Sequence, residues 1–115
     1  NDLVELFKRI DSPFLYGMCD VVPPYVQHES IMTYIDKLGR KMYHMHIIDG
    51  EPGTDSHIVP GEGSIPLPEL FKELKCAGYE NTATLELVTG YINEPRLYAR
   101  RAIDRVRTYM EEAGY

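Results

Sequence analysis

A chain of 115 residues with 43% hydrophobic and 26% charged side chains is long enough for one domain with a core, and too apolar for global disorder. Its formal net charge of −6, without a Lys/Arg cluster, repels phosphate backbones and argues against nucleic acid as a partner. No apolar run reaches membrane-spanning length and no signal-peptide pattern stands out, while Cys19 and Cys76, without ligand-like spacing, read as reduced thiols of a cytoplasmic protein.

Leu3, Leu6, Phe7 and Ile10 recur at helical spacing, and Asp11-Ser12-Pro13 stops that helix. Residues 14–20, FLYGMCD, read as a strand, and residues 21–28, with two prolines, as a loop. Ile31, Tyr34, Ile35 and Leu38 form a second helical stripe ended by Gly39. Residues 41–49 read as a second strand, residues 50–64 as a long polar loop. Leu67, Leu70, Phe71 and Leu74 predict a third helix, stopped at Gly78, and residues 81–87, NTATLEL, a third strand. Ala99, Ala102, Ile103, Val106 and Met110 mark a last helix.

The order is α-β-α-β-α-β-α, and helices between short apolar strands predict a parallel sheet with right-handed crossovers. Alternation puts Phe14, Tyr16, Met18 and Asp20 on one face of the first strand, Met42, His44 and His46 on one face of the second, and Thr82, Thr84 and Glu86 on one face of the third. The opposite faces, Leu15/Gly17/Cys19, Tyr43/Met45/Ile47 and Ala83/Leu85/Leu87, suit helix packing. The polar-tending faces end in Asp20, His46 and Glu86. C-terminal ends of parallel strands share one edge, where ligands bind, and two carboxylates with an imidazole suit a divalent cation.

Each residue also has a plainer reading. Asp20 could cap a turn, and His44 reads as a hydrogen-bonded core histidine. Glu86, inside TLELV, is costly to bury without a partner. Asp55 and His57 are either solvated loop residues or ligand contacts. Gly61-Glu62-Gly63 lacks the spacing of a phosphate-binding fingerprint and can be a turn before a helix. Glu51 and Glu62 read as solvent-facing, and Tyr91 and Arg96 as parts of a capped helix start with a basic surface.

HMHIID, DSHIVPGEG, GYENTATLEL and the Asp closing the first strand resemble the sugar isomerase/epimerase superfamily of xylose-isomerase-like TIM barrels, to which endonuclease IV is related. PYVQ, DKLG, DSHIVPGEG and LELVTGYINEPRLYARRAI resemble, within it, the fructoselysine 3-epimerases. The resemblance spans essentially residues 1–115, as the C-terminal part of a (β/α)8 barrel: three βα units plus the preceding helix. It makes Asp20, His46 and Glu86 three of four ligands of a divalent metal (Mn, Mg, Co or Zn) and Glu86 one of two catalytic glutamates. The other would lie on a strand preceding Asn1. His57 stands where related ketose 3-epimerases carry a substrate-binding Arg. Asp55 joins it as a substrate contact, and Asp-Ser-His also echoes the Asp-Arg-His metal motif of endonuclease IV. Pro23 departs from the family, many of whose members have His there.

The implied reaction inverts the carbon next to a ketone of a small sugar: one glutamate removes the proton, a metal stabilises the enediolate, and a second glutamate reprotonates the opposite face. Alternatives are another sugar (phosphate) isomerase, an endonuclease-like metal-dependent hydrolase, and a non-catalytic associating fragment. The chain starts at Asn1 directly in a helical pattern and reads as a piece of something longer. Three strands leave two open edges and an apolar inner face, from which we expect homo-oligomers and, for these residues alone, no turnover.

Overall fold

The structure, a computed structural model, describes residues 2–88 and 91–115; Asn1, and Thr89 and Gly90 of the LELVTGYINEP run, lie outside them. Strands β1 (Gly17–Asp20), β2 (Met42–Ile47) and β3 (Thr82–Leu85) form one sheet in the order β1-β2-β3. Both pairings are parallel. Helix α1 (Asp2–Ile10) precedes β1, α2 (Val22–Val26) and α3 (Ile31–Leu38) link β1 to β2, α4 (Leu67–Cys76) links β2 to β3, and α5 (Pro95–Ala113) follows β3. This is the expected α/β arrangement, three parallel strands joined through helices.

Local chemistry explains most boundaries. The Ser30 hydroxyl caps α3 by accepting the Thr33 N–H at 3.3 Å. Gly39 and Gly78 take positive φ values after α3 and α4, where side chains are disfavoured. The prolines at 23 and 24, expected in a loop, instead start α2, where missing N–H groups cost nothing. The first strand is shorter than the expected 14–20. The Lys41 ammonium donates to the carbonyls of Ser12 (2.7 Å) and Leu15 (3.1 Å), which ties that segment down outside the ladder.

Register decides the faces. Gly17 pairs with Met42 but Met18 pairs with His44, so Tyr43 is an extra residue opposite the break. Beyond it the expected alternation holds: Met18↔His44↔Thr82 and Asp20↔His46↔Thr84 line one face, Cys19↔Met45↔Ala83 the other. Before it the expectation fails. Met42, expected on the open inner face, is buried with the core, whereas Tyr43, expected under the helices, is exposed with its ring 4.8 Å from that of Tyr16.

The core lies between the sheet and α3, α4 and α5, built from Cys19, Met42, Met45, Ile47, Leu67, Leu70, Phe71, Leu74 and Val106 among others. Helix α1 contributes Leu3, Val4 and Phe7, while Leu6 and Ile10 of its expected stripe stay exposed. Helix α5 buries Ala102 and Val106, with Tyr109, Met110 and Ala113 partly covered; Ala99 and Ile103 do not join them. Ile103 instead borders a groove of about 420 Å³ that runs to Ala83 and Leu85 at the free side of β3. Among the described residues no helix is long and apolar enough to cross a membrane.

Candidate metal and active site

Asp20, His46 and Glu86 meet above the C-terminal ends of the strands. One ligand atom from each lies within 4.8 Å of the others. Asp20 closes β1; its Oδ1 accepts the Val22 N–H at 2.9 Å, so a turn-forming role and a second oxygen directed at His57 coexist on one carboxylate. His46 sits in register with Asp20, and its Nδ1 lies 2.9 Å from Oε2 of Glu86. Glu86 follows β3, two residues beyond Thr84, the register partner of His46. The three side chains are 20–37% exposed, reachable by a small molecule yet partly desolvated.

His57 joins them from the loop between β2 and α4. Its Nε2 lies 3.5 Å from Oδ2 of Asp20 and 3.6 Å from Oε2 of Glu86, and it is more buried than either, with 13% exposure. Asp55 approaches the other ring nitrogen, Nδ1, at 3.9 Å and is 84% exposed, so it touches His57 and not the trio. His44 is held apart by its neighbours: Nδ1 is 2.8 Å from the Thr82 hydroxyl and Nε2 is 3.0 Å from that of Thr84.

Donor chemistry tests the fit of a cation. Two carboxylates aimed at one spot repel each other, and a divalent ion offsets that repulsion. Two oxygens and one imidazole nitrogen are the ligands such ions take. The residues fit a divalent cation.

The loop holding His57 is more ordered than a polar stretch suggests. Asp49, one of the most buried side chains, accepts N–H groups from Gly50, Gly61, Gly63 and Ile65. These contacts explain the Pro-Gly-Glu-Gly run. A Cβ on Gly63 would lie 2.5 Å from the Asp49 carboxylate and 2.6 Å from the Gly50 carbonyl, and Gly61 adopts a φ of 85°. Glu62 is exposed, as expected, and pairs there with Arg101 of α5. The Tyr91 hydroxyl accepts the Val59 N–H at 3.0 Å. Asp49 is the residue that reading the sequence missed. Its signal was present: a carboxylate closing the apolar run HMHII is as costly to bury unpaired as Glu86.

A family model described as a xylose isomerase-like TIM barrel matches residues 1–109. Fructoselysine 3-epimerases of Shigella flexneri and Escherichia coli O157:H7 are each 48% identical over 112 residues, 97% of this chain and 41% of the relative. A D-psicose 3-epimerase of Enterocloster bolteae is 24% identical over 86 residues, 75% of this chain and 27% of the relative. Among solved structures, a xylose isomerase domain protein of Alicyclobacillus acidocaldarius superposes with a TM-score of 0.70 at 23% identity, over 99% of this chain and 43% of that one. D-psicose 3-epimerase of Clostridium cellulolyticum H10, solved with D-tagatose, gives 0.59 at 22% identity, over 96% of this chain and 38% of that one. The chain therefore spans less than half the length of these relatives, and it belongs to the xylose isomerase-like TIM barrel family.

Proposed function

We propose that this chain is the C-terminal part of a metal-dependent sugar epimerase that inverts the carbon next to a ketone, acting on fructoselysine or a similar ketose. The observation that supports this most is the convergence of Asp20, His46 and Glu86 at one edge of a parallel sheet. The 48% identity to fructoselysine 3-epimerases points to the substrate class. Asp20, His46 and Glu86 would hold the cation. When bound, a Mn, Mg, Co or Zn ion supplies Lewis acidity, which makes a proton next to the ketone easier to remove.

Glu86 moves that proton. Its carboxylate is half open to the site, and Nδ1 of His46 at 2.9 Å orients one oxygen and leaves the other free. Inversion needs a second acid on the opposite face. The reading places it on a strand of the remaining part of the protein, since this chain spans 41% of its relatives. His57, directed at both carboxylates, would contact a substrate oxygen, with Asp55 behind it holding the ring or reaching the substrate's outer end. The −6 charge argues against a nucleic-acid substrate. The free thiols of Cys19 and Cys76 fit a cytoplasmic protein. Exposed Phe14, Tyr16 and Met18 beside open strand edges favour self-association of these residues when isolated.

The test uses the whole protein. Titration calorimetry with Mn²⁺ should show binding that the triple Ala variant of Asp20, His46 and Glu86 lacks. Incubation with fructoselysine or psicose in D₂O should give the 3-epimer carrying deuterium at the inverted carbon. Unchanged Mn²⁺ binding in the triple variant would sink the site, and absence of ketose inversion would sink the activity.

A further inference from the structure

Asp49 is the one fully buried charged side chain among the described residues, and the reaction above gives it no task. Its Oδ1 accepts N–H groups from Gly50 (2.9 Å) and Ile65 (3.0 Å), its Oδ2 from Gly61 (2.8 Å) and Gly63 (3.1 Å). Its main chain forms an antiparallel bridge with Ile58, N–H to carbonyl in both directions at 3.0 and 2.9 Å. One residue thus gathers both ends of segment 58–65. His57 is the next residue before that bridge, so the bridge sets where its ring enters the site, 3.5 Å from Asp20 and 3.6 Å from Glu86.

We propose that Asp49 is a positioning residue, whose carboxylate holds segment 58–65 in the one arrangement that delivers His57 to the two carboxylates. Its kinetic consequence rests on the epimerase reading; its geometric consequence does not. In Asp49→Asn an amide nitrogen faces N–H donors in place of an acceptor, which loosens half the clamp. In Gly63→Ala a Cβ presses on the same carboxylate from the loop side.

The test uses the whole protein with ¹³C-labelled histidine, the His57 resonance being assigned by its disappearance in His57→Ala. Both Asp49→Asn and Gly63→Ala should shift the His57 signal and leave His44, held by Thr82 and Thr84, in place. Mn²⁺ affinity should stay within about threefold, KM should rise about tenfold or more, and Asp49→Asn should cost nothing further when His57 is already Ala, as expected for residues acting as one unit. An unmoved His57 signal in both variants, multiplying losses in the double variant, or Mn²⁺ affinity lost in step with KM would overturn the proposal. So would failure of both variants to fold, which makes Asp49 a folding residue only. If the wild type inverts no ketose, the epimerase reading fails, while the histidine spectra still decide the role of Asp49.

Discussion

Strands β2 and β3 carry neighbouring site residues on different foundations. The central strand is paired on both sides and buries Met42, Met45 and Ile47, and the chain beyond it closes on Asp49. Within residues 2–115, the part of the barrel that this chain spans, β3 is paired on one side only and has no buried residue: Thr82, Ala83 and Thr84 are exposed and Leu85 is half-buried. Within these residues His46 therefore stands on the better-packed strand, and Glu86, the residue we expect to move protons, just past the more open one. Stability and chemistry are divided between adjacent strands, and substitutions should separate them.

The largest effect expected is on chemistry. Glu86→Gln should lower the epimerisation rate of the whole protein by about 10²–10⁴, the usual scale for losing a general base, with little change in its urea midpoint. Next comes its mirror image on β2. Met45→Ala empties a fully buried position and should cost about 2–5 kcal/mol in urea unfolding, while folded enzyme keeps its kcat. Leu85→Ala, at a half-buried position on β3, should cost about half of that or less. Equal costs at positions 45 and 85 would dissolve the contrast.

A smaller effect distinguishes the strands by pH. Burial first, and the neighbouring Asp20 charge second, push the Cys19 thiol from 9.0 up to about 12. Between those values the unfolded chain releases a proton that the folded chain keeps. The stabilisation is therefore complete below about pH 9 and is lost as pH rises through about 12. Tyr79, ahead of β3, is raised to about 12 mainly by burial and adds to the same slope. Cys19→Ala should flatten the alkaline fall of the urea midpoint more than Tyr79→Phe, because Cys19 is 3% exposed and Tyr79 is half-buried. The smallest effect is local and belongs to these 115 residues taken alone: amides of β3 should exchange with D₂O about tenfold faster or more than those of β2, read by mass spectrometry or NMR.

The sequence carried the periodic features well because they are local. Helix stripes at Ile31/Ile35/Leu38 and Leu67/Leu70/Phe71/Leu74 need only spacing, and Gly39 and Gly78 stop helices by their own backbone freedom. Parallel pairing followed from alternating elements, and the resemblance of HMHIID and DSHIVPGEG pointed to the family that the comparison shows. What stayed hidden depends on contacts between distant residues. The exchange of Met42 and Tyr43 between faces comes from one register break against β1, which no pattern within β2 records. The exposure of Ala99 and Ile103 depends on where α5 leans against α4. The Asp49 clamp was half legible: a carboxylate closing HMHII asks for partners, but those partners are main-chain N–H groups, which every residue but proline possesses.

The three converging side chains have a consequence beyond chemistry. Asp20 on β1, His46 on β2 and Glu86 just after β3 come from three separate stretches of the chain, so no single stretch of peptide can imitate the site. An ion held there is also a clasp across the sheet. A ligand that binds only the folded form adds about 2.7 kcal/mol of stability at a hundred times its Kd. Within residues 2–115 the central strand has two ladders and β3 one, so there the gain falls mostly on β3. A cell starved of the metal would lose that clasp along with the chemistry, leaving Asp20, His46 and Glu86 held near one another by the strand ladders alone.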